Sequence, residues 1–362
     1  MFIVLSAIFF FIILRFVVSL FNFLSDPKLR RVVKPYHHLV SILIPARNEE
    51  ANIIRLLQSI RQQDYQDYEV IVLDDNSTDN TYHLCREFAG NHSKFSIIRG
   101  NPLPPDWLGK NYACFQLAKQ AKGKLLLFLD ADTIIEPGLI NSALHRMYVK
   151  KLGLLSLFPN QQIQRFGEHL VVPLVHYILL NLLPLQLVYL LRNRMFSAAS
   201  GQFMLFDAAI YHQHQWHHEV RHKVVEDVEI MRLVKSAGYN AETLLANNLI
   251  SSRMYHSYRE AINGFSKNIL AAFNYNVFSL LIFLIILLGG PLIVITTLNL
   301  NLIAMLCGLI ALNRIMISLT AGQSPWKNVL LHPVQMLSLM VIAFLAIQRY
   351  LTRTTVWKGR KV

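Results

Sequence analysis

The sequence contains few cysteines, and they are far apart. Its 362 residues include three, which are Cys85, Cys114 and Cys307. Five histidines lie within residues 212–222, but no spacing among them matches that of a zinc site. Small disulfide-stabilised domains carry many more cysteines than this. The sequence therefore argues against a disulfide framework and a zinc site, and it predicts that the soluble part lies in a reducing compartment.

Acidic residues are also scarce. There are 22 of them against 35 lysines and arginines, giving a formal net charge of +13, and none follows Glu260. Because 53% of the residues are hydrophobic and only 16% are charged, the composition is that of a membrane protein with a sizeable water-soluble part. The polar region has no basic stripe with interleaved aromatic residues, so we expect no nucleic-acid partner and assign the basic excess to loops facing an anionic membrane.

A long apolar segment begins the chain. Residues 1–24 are almost wholly apolar, with Arg15 as the one charged residue, are long enough to span a bilayer, and are not followed by a small-residue cleavage site. We therefore predict a retained membrane anchor. The basic residues that follow it directly are Lys28, Arg30, Arg31 and Lys34. Under the positive-inside rule they place the next domain in the cytoplasm and the protein in the cell membrane.

A second apolar region occupies residues 276–351 and contains three candidate spans, at 276–297, 300–319 and 330–350. The basic tail that follows, at 352–362, favours the cytoplasmic side. Four complete crossings would put this tail on the side of the N-terminus, which conflicts with the basic residues after the first anchor. We therefore predict a multi-pass protein in which one apolar segment is not a simple span.

Between these regions, residues 36–260 alternate short apolar runs with amphipathic stretches. This alternation is typical of βαβ units, so the predicted fold is α/β with a Rossmann-like, mostly parallel sheet. The apolar run at 125–129 has no polar alternation, as expected of a strand buried on both faces. Asn48, which follows the first predicted strand, is expected to cap the next helix.

Acidic pairs follow two of the predicted strands. Asp74 and Asp75 end the second strand, and Asp130 and Asp132 follow the strand at 125–129. Ligands of open α/β sheets collect beyond the carboxyl ends of the strands, where such carboxylates can hold a divalent cation against phosphates. A turn with a helix cap is the alternative interpretation of each pair.

Further polar positions lie where helices are predicted to begin. Lys110 starts a helix whose free N–H groups suit a phosphate, although a solvated lysine is equally consistent. Glu226 and Asp227 start an amphipathic helix. Acids favour that position through the helix dipole, and a general base is the functional alternative. A loop of small residues containing Gly201 and Gln202 precedes another strand.

The segment at 170–191 is apolar and uncharged but contains two prolines. A single membrane crossing there would separate Asp227 from Asp132, which must share a compartment if they form one site. We therefore predict an interfacial or re-entrant hydrophobic helix, with His176 as a hydrogen-bonded polar side chain rather than a ligand.

Four motifs resemble those of the membrane-bound family 2 glycosyltransferases. In chain order they are Ile44-Pro45-Ala46-Arg47-Asn48-Glu49-Glu50, Asp74-Asp75-Asn76-Ser77-Thr78-Asp79, Asp130-Ala131-Asp132 and Glu226-Asp227. This resemblance covers residues 40–239. Residues 104–111 and 357–360 are similar to a narrower subgroup associated with carotenoid and hopanoid lipids, which includes diaponeurosporenoate glycosyltransferases.

The resemblance implies a GT-A catalytic domain that uses a nucleotide-diphosphate sugar, such as a UDP-sugar, together with Mg²⁺ or Mn²⁺. The residues it implies for the nucleotide sugar are Pro45, Ala46, Glu49, Asp74, Asp75, Lys110 and Asp130. Those implied for the metal are Asp132 and Asp130. It implies Asp227 as the catalytic base. The residues implied for the acceptor side are Gly201, Gln202 and Glu226.

The implied activity is an inverting transfer of a sugar to a membrane lipid of carotenoid or terpenoid type. Processive synthases of the family carry Gln-x-x-Arg-Trp after the base motif, and the corresponding region here reads Tyr255-His-Ser-Tyr-Arg-Glu260. This difference favours a single transfer. The alternatives are a polysaccharide or polyprenyl-phosphate sugar synthase, and a non-catalytic membrane scaffold of the same fold.

Overall fold

A seven-stranded sheet forms the centre of the α/β domain in the computed structural model, which describes residues 1–352, 356–357 and 360–361. Most of the predicted basic tail at 352–362 therefore lies outside the described residues. The strands are β1 (Val40–Ala46), β2 (Tyr68–Asp74), β3 (Phe95–Arg99), β4 (Leu125–Leu129), β5 (Thr133–Ile135), β6 (Leu152–Phe158), β7 (Asn160–Gln161), β8 (Phe203–Asp207), β9 (Asn240–Leu245), β10 (Ile250–Ser252), β11 (Val356–Trp357) and β12 (Arg360–Lys361).

The large sheet has the order β3-β2-β1-β4-β8-β6-β9 and is mostly parallel, as predicted. Only β8 runs against its neighbours, pairing antiparallel with β4 and with β6. All five residues of β4 are buried, which confirms that this strand is covered on both faces. A small second sheet, with the order β5-β10-β7, lies beyond the carboxyl end of β4.

Helices cover both faces of the sheet and continue into an apolar bundle. In the α/β domain they are α2 (Ile53–Arg61), α3 (Thr81–Gly90), α4 (Gly109–Gln120), α5 (Leu139–Lys150), α6 (Phe166–His169), α7 (Leu174–Leu182), α8 (Gln186–Leu190), α9 (Ala208–His214), α10 (Trp216–Glu219), α11 (Glu226–Ser236) and α12 (Tyr258–Asn268). The remaining helices are α1 (Phe2–Ser25), a 3₁₀ turn (Ala271–Phe273), α13 (Val277–Leu284), a π-helical turn (Ile285–Gly289), α14 (Gly290–Thr296), α15 (Leu300–Thr320), α16 (Pro325–Leu330) and α17 (His332–Thr352).

Four helical segments are long and apolar enough to cross a membrane, and they include both ends of the chain. They are Phe2–Ser25, Val277–Thr296, Leu300–Thr320 and His332–Thr352. The second of these segments is continuous through α13, the π-helical turn and α14. The π-helical turn adds one residue to the helix just before Pro291, which allows the helix to continue past the proline.

The apolar segment at 170–191 is broken into two short helices. A helix of nine residues, such as α7, rises about 14 Å, roughly half of a bilayer's hydrocarbon core. The break follows Leu182 because Pro184 lacks an N–H group. Asn22 of α1 hydrogen-bonds the backbone groups that this break leaves without helical partners. Its amide nitrogen donates to the carbonyl oxygens of Leu180 and Leu183, and its oxygen accepts from the N–H of Leu185. His176 lies within hydrogen-bonding distance of Gln323, at 3.1 Å.

The expected helix cap at Asn48 is wrong. The helix begins later, at Ile53, and Asn48 adopts a left-handed backbone with φ of 53°. Its side-chain oxygen instead accepts from the N–H of Thr78, 2.8 Å away. The residue therefore joins the loop after β1 to the loop after β2, both of which lie at the same edge of the sheet.

We expect Gly123→Ala to destabilise the α/β domain. A Cβ at this position would lie 2.5 Å from the backbone nitrogen of Ser41 and 2.8 Å from the carbonyl oxygen of Leu39. Since these are backbone atoms of the neighbouring strand, relief requires strand displacement, which costs about 1–3 kcal/mol. Thermal unfolding of the purified protein in detergent measures the effect.

Gly90→Ala is the matched control, because no atom lies within 4 Å of its Cβ and the residue ends helix α3. There the substitution is expected to be neutral or to stabilise by up to about 1 kcal/mol. Equal midpoints for the two variants would show that the close approach at Gly123 is not structurally demanding.

Candidate active site

The carboxyl ends of β1, β2 and β4 open onto a cleft of about 930 Å³. Residues from α4, α11 and α12 and from the loop before β8 form its other walls. The predicted site residues that line it are Pro45, Ala46, Glu49, Asp75, Lys110, Asp130, Asp132, Gly201, Gln202, Glu226 and Asp227. The structure therefore brings together the acidic groups that the sequence separates by almost a hundred residues.

The predicted residue outside the lining is Asp74. It is 6% exposed and forms the last position of β2, where its carboxylate lies 3.4 Å from the N–H of Ser77. Asp75, one residue later, lines the cleft. Because β2 ends at Asp74, Asp75 belongs to the loop that borders the cleft, whereas Asp74 stays within the sheet.

Lys110 connects the two acidic clusters. Its Nζ lies 2.8 Å from Oδ1 of Asp130, at the end of β4, and 3.1 Å from Oε1 of Glu226, at the start of α11. Burial opposes the charged ammonium, but the two carboxylates outweigh it and hold the pKa of Lys110 well above its usual range. The side chain is therefore a fixed positive charge within the cleft.

Asp132 is held by two neighbours. The Gln202 amide lies 3.5 Å from its Oδ1, and the Ser252 hydroxyl lies 3.3 Å from its Oδ2. The same amide donates to the Ser252 oxygen at 2.7 Å, which fixes both partners. Burial, followed by the charges of Asp130 and Glu49, raises the pKa of Asp132 to about 6.

The negative charge of Asp132, Asp130 and Glu49 suits a hard divalent cation, which prefers oxygen ligands. Within the part of the chain that the structure describes, no three histidine, cysteine, aspartate or glutamate side chains form a ready cage. An ion held by Asp132 would therefore complete its shell with ligand and water oxygens, as Mg²⁺ commonly does in phosphate sites.

Asp227 also lines the cleft, at the start of α11. Its Oδ2 accepts from the N–H of Gly201 at 2.9 Å, and its Oδ1 accepts from the N–H of Val228 at 2.8 Å. Burial, followed by the charge of Glu226, raises the pKa of Asp227 to about 7. A carboxyl group with this pKa can exchange a proton near neutrality, which is the property required of a general base.

Gly201 is required by the close approach of these groups. A Cβ there would lie 2.8 Å from Nζ of Lys110 and 3.1 Å from Oε1 of Glu226. Because Gly201 has no side chain, its N–H can donate to Asp227 and the ion pairs of Lys110 fit beside its backbone. The sequence pattern identified the loop but not this reason for the glycine.

Several cleft residues were not predicted from the sequence. They are Trp107, Lys223, Arg253, Tyr255, His256, Arg259 and Lys267. Arg253 donates to Oε1 of the buried Glu168 at 3.0 Å, and its buried Nε has no hydrogen-bond partner among the described residues. The available signal was the basic and aromatic run that directly follows β10. Because β10 has only three residues, the sequence pattern does not identify it as a strand that leads into a site.

Of the five histidines in the histidine-rich segment, His217 packs into the domain core. His217 is buried and lies 2.7 Å from the hydroxyl of Tyr211, and burial lowers its pKa to about 3. His214 stacks on Trp216 with 4.3 Å between ring centroids. These two histidines therefore have structural partners.

A sequence profile described as Glycosyl transferase family 2 matches residues 41–167. This part of the chain is a family 2 glycosyltransferase domain. It includes the carboxyl ends of β1, β2 and β4 and therefore the cleft residues Asp75, Asp130 and Asp132. Asp227 lies beyond the matched segment.

Two curated relatives are similar to the chain. It is 26% identical over 237 residues to a 4,4'-diaponeurosporenoate glycosyltransferase of Staphylococcus haemolyticus (strain JCSC1435), covering 64% of this chain and 60% of the relative. It is 34% identical over 134 residues to the protein of that name from Staphylococcus aureus (strain USA300), covering 36% of this chain and 34% of the relative. The aligned part thus spans less than two thirds of either relative.

Among solved structures, the mannosyltransferase PcManGT from Pyrobaculum calidifontis, in complex with GDP-Man and Mn²⁺, resembles the fold. The TM-score is 0.57 at 16% identity, and the match covers 96% of this chain and 99% of the other. The predicted GT-A architecture, with apolar helices at both ends of the chain, is confirmed.

We expect Lys110→Met to destabilise the family 2 domain in a pH-dependent manner. Lys110 lowers the pKa values of Asp132 and Asp227, so its removal raises them further above the ordinary value near 4. A carboxyl group with a raised folded-state pKa loses stability as pH rises through that pKa. The additional loss should therefore grow between pH 5 and pH 8, reaching roughly 1–3 kcal/mol in this partly open cleft.

Thermal unfolding at several pH values measures this effect. Lys124→Met is the control, since Lys124 is exposed at the opposite end of β4 and contacts none of these carboxylates. A Lys110→Met defect that is constant with pH, or is greatest at low pH, would contradict the charge balance described here.

Proposed function

We propose that the protein is an inverting glycosyltransferase that moves a sugar from a nucleotide-diphosphate sugar to a membrane lipid. The observation that carries the proposal is that Asp132 and Asp227 line the same cleft. Their hydrogen-bond partners, Gln202 and Gly201 respectively, are consecutive residues. One carboxylate is thus available for the donor's metal and phosphates, and the other for the acceptor.

On the donor side, Pro45, Ala46, Glu49 and Asp75 would contact the nucleotide at the carboxyl ends of β1 and β2. Asp130 and Asp132 would hold the cation, with Lys110 as an additional phosphate contact. A bound Mg²⁺ or Mn²⁺ would offset the negative charge that develops on the leaving diphosphate. We propose a UDP-sugar as the donor.

On the acceptor side, Asp227 would accept the proton from a hydroxyl or carboxyl group of the lipid. The new bond forms between the acceptor oxygen and the anomeric carbon while the bond from that carbon to the diphosphate breaks. Attack opposite the leaving group inverts the anomeric centre. Gly201 N–H and Val228 N–H hold the carboxylate in position for this proton transfer.

A lipid acceptor is supported by the apolar helices beside the cleft. Helix α12 lines the cleft with Arg259, Asn263 and Lys267, and it packs along α17, a candidate membrane span. The relatives described above are named as glycosyltransferases of 4,4'-diaponeurosporenoate. With the positive-inside pattern of the sequence, we propose that the cleft faces the cytoplasm.

We expect Asp132→Asn and Asp227→Asn each to reduce sugar transfer by about 10²-fold or more, for different reasons. The first should also lose the divalent-dependent thermal stabilisation by UDP, and the second should retain it. Asp67→Asn is the control, because Asp67 lies at the opposite edge of the sheet and pairs with the exposed His37. The assay incubates membranes with labelled nucleotide sugars and extracts the lipid fraction.

Full transfer by either variant would refute the assigned roles. Product carrying many sugars would favour a polysaccharide synthase, and product on a polyprenyl phosphate would favour the lipid-sugar synthase. UDP binding without transfer to any lipid would favour the scaffold alternative.

The rate of transfer should rise with pH to a plateau, with a midpoint near 7. Asp227 must be unprotonated to accept a proton, and its pKa is raised to about 7 by burial and by Glu226. The measurement is kcat/KM between pH 5.5 and 8.5 at saturating Mn²⁺. A flat profile over that interval would argue against Asp227 as the base.

A further inference from the structure

A second cavity, of about 310 Å³, lies among the apolar helices and shares no lining residue with the cleft. We refer to it as the slot. Its walls come from α1, α7, the segment 286–295, α15 and α17, and most of them are apolar. Its opening is bordered by side chains of candidate membrane spans, so the material that reaches it in the cell is membrane lipid.

Four polar side chains line the slot. They are Arg15, Tyr177, Asn313 and His332. Arg15, which is 9% exposed, donates to the Tyr177 hydroxyl at 2.5 Å. Three of their buried polar atoms have no hydrogen-bond partner among the described residues: Nε of Arg15, Oδ1 of Asn313 and Nδ1 of His332. Unpaired polar atoms are costly in an apolar interior, so the residues that line the slot leave hydrogen-bonding capacity unsatisfied around it.

The charge of the residues around the slot indicates the sign of the ligand's charge. A second guanidinium, that of the 1% exposed Arg314, lies 4.4 Å from the centroid of the Tyr177 ring, and that of Arg15 lies 5.4 Å from the same centroid. Arg314 donates to the Gln335 side chain and to the carbonyl oxygen of Asn328, both neutral groups. Among the described residues, neither arginine forms an ion pair with a carboxylate.

Two buried guanidinium groups without a counterion are unusual, because ionisable groups inside a membrane normally pair with one another or with backbone carbonyl groups, and of the two only Arg314 has a carbonyl partner among the described residues. No acidic residue occurs in residues 1–25 or in residues 261–362, so the apolar helices themselves contain none to supply. The missing negative charge must therefore come from outside the polypeptide side chains of this region.

We propose that the slot binds one membrane lipid whose single anionic group, a carboxylate or a phosphate, contacts Arg15 beside Arg314. The apolar walls hold its hydrocarbon chain, which distinguishes the ligand from a free inorganic anion. The site is separate from the glycosyltransferase cleft, and the proposal does not depend on the reaction assigned to that cleft.

The test measures thermal stability of the full chain, purified in detergent, with dioleoylphosphatidylglycerol or oleate as the anionic probe. Both should raise the unfolding midpoint, whereas dioleoylphosphatidylcholine and inorganic phosphate should not. Arg15→Gln should weaken the response by about tenfold in lipid concentration, as expected for the loss of one charge-assisted hydrogen bond. Arg30→Gln, which removes an exposed charge outside the slot, should leave it unchanged.

A response equal for Arg15→Gln and the unaltered protein, or equal for the neutral and anionic lipids, would overturn the proposal. So would stabilisation by inorganic phosphate alone. If Arg15→Gln does not fold, extraction of lipid from the unaltered protein decides the matter: about one anionic lipid per chain is expected, and its absence contradicts the site. None of these readouts requires sugar transfer, so they separate failure of this proposal from failure of the proposed activity.

Discussion

The site depends on the hydrogen bonds made by one dipeptide, Gly201-Gln202. The N–H of Gly201 holds Asp227, and the side chain of Gln202 holds Asp132. The Gln202 carbonyl oxygen also accepts from the N–H of Asp130, which ties the dipeptide to the end of β4. Because β8 begins directly after it and pairs antiparallel with β4, the single reversed strand of the sheet brings the two acidic clusters together.

The positive charge of Lys110 does not balance the negative charges of the carboxylates around it. Lys110 offsets Asp130 and Glu226, but burial and like charge still raise the pKa values of Asp132 and Asp227. The raised pKa has a different consequence for each of these two carboxyl groups. Asp132 lies with Asp130 and Glu49, where a cation relieves the repulsion, whereas Asp227 has backbone N–H partners and a pKa suited to proton exchange.

The sequence predicted those parts of the fold that depend on local pattern. The buried run Leu125–Leu129, the helix at Gly109–Gln120 and the acidic pairs at strand ends all follow from periodicity and from the parallel-sheet rule. It could not choose between Asp74 and Asp75, since that depends on how the strand end twists. It also missed Ser252 and Arg253, because β10 is stable only when paired with β5 and β7. Asn48 was assigned to a local cap when its partner, Thr78, belongs to another loop.

The sequence predicts that one apolar segment is not a simple span, and the contacts of the apolar helices indicate which one. Helix α17 contacts α12 at two points eleven residues apart: Ser338 lies 3.2 Å from Tyr258, and Arg349 donates to the carbonyl oxygen of Asn263 at 3.0 Å. Since α12 lines the cleft, α17 remains beside the α/β domain over that whole stretch. A helix crossing a bilayer would move about 16 Å away from the domain surface over eleven residues. We therefore propose α17 as the apolar segment that is not a simple span, an arrangement in which the basic tail and the cleft would share one side.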